Sequence, residues 1–177
     1  MPDAIRIAAA ALVCVAALFD LKYRRIPNWL NGAGLITGFA LQTMLRGWAG
    51  LRDAAAGAAF AFLVYLALFA LRAMGGGDVK LMTALGAILG PYDWFWVLLY
   101  ASITGGVIAV ILLLLRGTLL KTLFRVGIVL GDLSHLRAPY RSNPEMDVSH
   151  PQAVTLPHGV SVAIGCLLFL AASTWKL

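Results

Sequence analysis

The sequence predicts an all-α, polytopic membrane protein, and three observations carry that prediction. Hydrophobic residues make up 61% of the 177 residues and charged residues only 12%, against about 45–50% and about 25% in a typical soluble domain. The mean hydropathy of +0.86 is too high for a soluble globule to cover its surface with polar groups, and it is the opposite of a disordered chain. The apolar residues fall in runs, and a helix that crosses a bilayer needs about 20 of them. The chain is therefore read as one integral membrane domain, 1–177, in contact with the lipid bilayer.

Six spans are expected. The first runs from Ile5 to about Phe19. The second runs from about Trp29 to Leu45, with Gly34 and Gly38 at the spacing that lets helices approach closely. The third runs from Ala54 to Leu71. The fourth, Val79 to Leu89, covers under about 20 Å at 1.5 Å per residue, so it is shallow or its ends are buried in protein. The fifth, Trp94 to Leu115, is the longest and clearest. The sixth runs from about Leu156 to Ala172. Between the last two, about 117–155, a basic amphipathic helix on the inner leaflet is followed by a polar, proline-bearing loop.

Charge sets the orientation. A secretory signal peptide carries its positive charge before the apolar stretch, but here Lys22, Arg24 and Arg25 follow it, so the first span is expected to be retained with its N-terminus outside. Six spans then place ten of the fourteen Lys and Arg residues in cytoplasmic segments, as the positive-inside rule requires. The net charge of +6 is thus topological, and no nucleic-acid partner is expected. Cys14 and Cys166 lie in apolar runs without metal-ligand spacing, so no metal and no cofactor are expected. Oligomeric state is not legible.

Few groups here can do acid–base chemistry. Asp3, Asp53 and Asp93 stand before outward-facing helix starts, where an Asp caps free N–H groups. Asp132 and Asp147 lie in the polar segment. Asp20 ends the first span, where the helix dipole disfavours a carboxylate, and an ionisable group at membrane depth is a functional candidate. Asp78 follows Gly75-Gly76-Gly77, a run longer than a helix cap needs and one that lets backbone approach an extended substrate. The topology puts Asp20 and Asp78 at the same inner boundary. Two carboxylates at close range share a proton, and such a pair activates a water and protonates a carbonyl or leaving amine.

Asp20-Leu-Lys-Tyr-Arg-Arg-Ile-Pro-Asn28, followed by Gly75-Gly-Gly-Asp-Val-Lys80, resembles the type IV prepilin peptidases, polytopic aspartic proteases of the GxGD class. Leu156-Pro-His-Gly-Val-Ser-Val-Ala-Ile-Gly165 is similar to their last span. The resemblance implies a prepilin leader peptidase of the bacterial inner membrane, multi-pass, with Asp20 and Asp78 as the catalytic pair. The substrate it implies is a prepilin or pseudopilin, cleaved after a short basic leader at the cytoplasmic face. Ile26, Pro27, Asn28, Gly75, Gly77 and Lys80 are the supporting motif residues. Pro27 fixes the turn into the second span, and Lys80 either orients Asp78 or snorkels at a helix end. Larger members carry two Cys-x-x-Cys pairs that bind zinc and also N-methylate the pilin. This chain lacks those pairs, so it looks like the short, peptidase-only branch serving Flp-type (tight-adherence) pili.

Other chemistries lack their motifs: there is no His-Glu-x-x-His and no Gly-x-Ser-x-Gly. His158 is read as an interfacial side chain. The alternative from another class is a small transporter component in which the two Asp form a proton or cation relay. The inverted repeats such a protein would show are not visible.

Overall fold

The computed structural model describes residues 1–71, 74–117, 122, 124, 127 and 158–174. The expected amphipathic helix and loop, about 117–155, lie almost wholly outside the described residues. Among the described residues the fold is carried by α1 (Asp3–Tyr23), α2 (Asn28–Ala70), α3 (Gly76–Leu89), α4 (Pro91–Leu115) and α5 (His158–Thr174). Three of these, α1, α2 and α4, are long and apolar enough to cross a membrane, and α5 is a shorter apolar helix.

α1 starts after Pro2 and ends on Arg24, which takes the left-handed conformation (φ 52°) and returns its N–H to the Asp20 carbonyl at 2.9 Å. Pro27 then opens α2 in extended conformation, where its missing N–H costs nothing because a first-turn N–H has no intrahelical partner. α2 covers both the second and the third expected span. It is broken at Gly47 (φ 58°, ψ −137°), a conformation that glycine adopts without a Cβ clash. The two limbs, 28–46 and 48–70, fold back on one another: a Cβ at Gly50 would strike the Gln42 carbonyl. Arg46 and Asp53 form an ion pair across the reversal at 2.6 Å.

That hairpin encloses α3. At 14 residues α3 is about 21 Å long, too short to stand alone in lipid, and it is buried along almost all of its last nine residues. Small residues on both limbs make room for it. Gly34 packs on Ala84, Gly38 on the Ala87–Ile88 peptide, and Gly57 and Gly86 meet backbone to backbone. Helices in lipid gain no hydrophobic drive from meeting, so close backbone approach supplies the attraction. Gln42 adds a side-chain bond from Nε2 to the Ile88 carbonyl at 2.9 Å.

Gly90 (φ 80°) turns the chain, and Pro91 starts α4. The second half of α4 exposes Val107, Val110, Ile111, Leu114 and Leu115, as a lipid-facing helix should. α5 packs between α4 and α1. A Cβ at Gly165 would enter the Ala101 backbone, and Thr104 Oγ1 donates to the Ser161 carbonyl at 3.2 Å. α5 runs antiparallel to α1, since Arg6, near the start of α1, donates to Leu170, near the end of α5, at 2.9 Å. The Arg24–Pro27 turn, the start of α3 and the start of α5 therefore gather at one end of the fold. Gly47 and Gly90 lie at the other.

Of the three acids expected to cap helices, two meet the positive end of a helix dipole and one does not. Asp3 and Asp93 stand in the first turns of α1 and α4, without side-chain cap bonds. Asp53 lies inside α2 and holds Arg46 instead.

The Gly57–Gly86 contact is testable. Gly86→Ala places a methyl 2.9 Å from the Ala61 Cβ and against the Gly57 backbone. It should lower stability by about 1–3 kcal/mol in thermal unfolding in detergent. Gly106→Ala, with nothing within 4 Å, should raise it by about 0.5–1 kcal/mol. Equal effects would mean that the two helices do not meet there.

Candidate active site

Three helix ends and one turn converge at the end of the fold where α5 begins. Asp20 sits in the last turn of α1 and is 9% exposed. The helix that carries it offers no donor, and its dipole opposes the charge. The donor comes from α5 instead: the Gly159 N–H binds Asp20 Oδ2 at 2.8 Å. Gly159 lies in the first turn of α5, where N–H groups have no intrahelical partner and the dipole is positive. The approach is close because position 159 has no side chain. A Cβ there would stand 3.0 Å from Oδ2, 3.1 Å from the Asp20 Cβ and 3.3 Å from Cγ.

Asp78 occupies a matching position on α3. Gly75 is the N-cap and Asp78 the third helical residue. The Asp78 N–H donates to the Gly75 carbonyl at 3.1 Å, and its carboxylate reaches back to the Gly75 N–H. This is the acidic half of a capping box. Each carboxylate is thus met by the positive end of a helix, Asp20 by α5 and Asp78 by α3. The two lie within Coulombic reach of one another, and His158 lies within reach of Asp78.

His158 is the first residue of α5. Its Nε2 shares a hydrogen bond of 3.3 Å with the Tyr65 hydroxyl. Tyr65, 1% exposed, comes from the second limb of α2 and packs edge-on to Trp94 with ring centroids 6.2 Å apart.

The supporting motif residues form a second contact between the same segments. Lys80 Nζ donates to Asn28 Oδ1 at 2.9 Å, which ties the start of α2 to the second turn of α3. Lys80 is therefore bound to the Ile26-Pro27-Asn28 turn, a use that neither sequence reading of Lys80 contained. A Cβ at Gly77 would stand 3.8 Å from the Ile26 Cβ, and one at Gly75 3.5 Å from Asp78 Oδ2. Both are ordinary contacts, so crowding inside the chain does not demand the glycine run. What the run does provide is exposed backbone at Gly75 and Gly76, beside Asp78.

The residues that sequence reasoning missed are Tyr65, His158 and Gly159. His158 and Gly159 sit in the Pro-His-Gly segment that opens the last span. The signal for them was topological: a helix had to start at the end where Asp20 lacked a donor. Tyr65 lies in an apolar run and gives no such sign. Among the described residues, no group of three His, Cys, Asp or Glu side chains is arranged to hold a metal ion. Two carboxylates this placed can hold one proton between them, so one can take a proton from water while the other gives one to a carbonyl.

A model of the type IV leader peptidase family matches residues 7–110. That span contains Asp20, Ile26-Pro27-Asn28, Tyr65 and Gly75 to Lys80, and it ends before His158. Among curated proteins, the chain is similar to the prepilin leader peptidase/N-methyltransferase of Myxococcus xanthus (strain DK1622). The two are 34% identical over 119 residues, 60% of this chain and 35% of that protein. Proteins of the same description from Aeromonas salmonicida (strain A449) and Aeromonas hydrophila are each 38% identical over 112 residues, 59% of this chain and 38% of theirs. The match thus spans little more than a third of these relatives. No solved structure matches the chain.

The Lys80–Asn28 bond predicts coupling between the two motifs. In a double-mutant cycle of Lys80→Met and Asn28→Leu, thermal unfolding should show a favourable interaction of up to about 1 kcal/mol, small because Lys80 is exposed. Strict additivity would show that the bond does not form.

Proposed function

Because the chain belongs to the type IV leader peptidase family, we propose that it is a prepilin leader peptidase whose catalytic pair is Asp20 and Asp78. The observation that carries the proposal is the convergence of these two carboxylates on neighbouring helix N-termini at one end of the fold. The ionised member of the pair takes a proton from a water, and the resulting hydroxide attacks the scissile carbonyl carbon. The other member gives its proton to the carbonyl oxygen. Collapse of the tetrahedral intermediate breaks the C–N bond, and a proton passes to the leaving amine. Base and acid are roles of the dyad rather than of one residue.

The substrate class follows from the family and from the position of the site. It is a prepilin or pseudopilin, of Flp type by the resemblance of the sequence, with a short basic leader before an apolar helix. The dyad's end of the fold is assigned to the cytoplasmic face of the bacterial inner membrane, where the positive-inside rule puts Lys22, Arg24, Arg25 and Lys80. Exposed glycine backbone beside Asp78 supports the binding of an extended peptide. The anionic dyad offsets the repulsion between this basic end and a basic leader. With only Cys14 and Cys166 there is no Cys-x-x-Cys pair, and the proposal covers peptide cleavage alone, without N-methyl transfer. Both carboxylates lie at helix ends on one side, which supports cleavage over a relay across the membrane.

The test is cleavage of a candidate prepilin in membranes that hold matched amounts of wild type or variant. Asp20→Asn and Asp78→Asn keep shape and remove charge, and each should reduce cleavage by roughly a thousandfold or more. Pro27→Ala should reduce it by only about tenfold, since it loosens a turn and removes no proton-transfer group. Cleavage that survives in both Asn variants would refute the dyad.

A further inference from the structure

We propose that Tyr65, His158 and Gly159 are positioning residues of this site, acting as a relay of contacts that fixes the Asp20 carboxylate. The inference rests on the assignment of Asp20 to the catalytic pair and extends the site to Tyr65 and, beyond the span that the family model matches, to His158 and Gly159.

The geometry is a chain of two bonds. Tyr65 is buried in the second limb of α2, held by Trp94 edge-on at 6.2 Å and by its own place in the core. Its hydroxyl bonds His158 Nε2 at 3.3 Å, which anchors the first residue of α5. The next residue, Gly159, gives its N–H to Asp20 Oδ2 at 2.8 Å. α5 is also pinned to α1 at its far end, by Arg6 on the Leu170 carbonyl at 2.9 Å. With both ends tied, the first turn of α5 cannot slide along α1, and the Asp20 carboxylate takes its direction from the Gly159 N–H. The groups around His158 are Asp78, within Coulombic reach, the Tyr65 hydroxyl, and Asp20 through Gly159.

This arrangement separates position from bulk. A methyl group at 159 meets the carboxylate itself, at 3.0 Å from Oδ2, and forces Asp20 to turn. Loss of the Tyr65–His158 bond leaves Gly159 in place but frees the turn that carries it. Small misplacements of a reacting group cost large factors in rate, and they act on kcat rather than on substrate binding.

Two readouts test the relay. In prepilin cleavage, Gly159→Ala should lower kcat at least a hundredfold with KM changed less than threefold. His158→Leu and Tyr65→Phe should each lower kcat about tenfold. The double variant should lose no more than either single one, because both break the same bond. His158→Gln, whose amide can still bond the Tyr65 hydroxyl, should recover most of the loss. Multiplying effects in the double variant, or no recovery by Gln, would overturn the relay. The second readout needs no catalysis: amide hydrogen exchange in detergent of protein labelled with ¹⁵N-glycine, with the Gly159 signal assigned by its loss in Gly159→Ala. Asp20→Ala and Tyr65→Phe should each speed Gly159 exchange at least tenfold. Unchanged exchange would refute the relay whatever the substrate. Failure of wild type to cleave, with exchange behaving as expected, would instead strike at the proposed function.

Discussion

A carboxylate at membrane depth must find a donor, and the rest of this structure is arranged around how Asp20 finds one. The last turn of α1 has only carbonyls to offer. The missing donor has to come from a helix that begins where α1 ends, and α5 is that helix. This single bond from Gly159 requires α5 to run antiparallel to α1, requires glycine at the contact, and brings His158 to the same mouth. Asp78 meets the same requirement more locally, through the glycine turn that starts its own helix.

The second constraint is that α3 is short. A helix of 14 residues cannot cross the hydrocarbon layer by itself, so its polar ends must be covered by protein. The hairpin of α2 does this. Its glycines let α3 lie against both limbs at backbone distance, and the reversal at Gly47 lets one continuous stretch serve on both sides. Asp78 then enters the site from the open first turn of a helix whose last nine residues are clamped, which suits a group whose position matters. The Lys80–Asn28 bond adds a clamp at the mouth itself.

The sequence showed the helical membrane class plainly, because composition and apolar runs are read directly from the residues. It also showed, from length alone, that α3 was either shallow or buried at its ends in protein. The two aspartates stood out because each sat where a simple role was either unfavourable or over-supplied with glycine. The partners that orient them were not legible. Gly159 is 139 positions from Asp20 and Tyr65 is 93 from His158, and pattern rules with periods of two or 3.6 residues say nothing about such pairings. Asp3, Asp53 and Asp93 show the opposite failing. Local capping rules applied to each, yet Asp53 lies within α2 and pairs with Arg46, while Asp3 stays exposed and pairs with Arg6 one turn on. The reversal itself was legible as the gap between the apolar runs that end at Leu45 and begin at Ala54, but that Gly47 makes it inside one nearly continuous helical stretch was not.

The separation of Asp20 from its donor also orders events during synthesis. α1, α2 and α3 are close in sequence, and the hairpin with α3 between its limbs needs nothing made later. When those three have been threaded into the membrane, both aspartates are present but Asp20 still relies on water or lipid headgroups at the interface. Only when α5 leaves the ribosome, well over a hundred residues after Asp20, does the carboxylate acquire its fixed direction. Until α5 is made, a nascent chain therefore holds Asp78 at the start of its own helix but Asp20 without its donor.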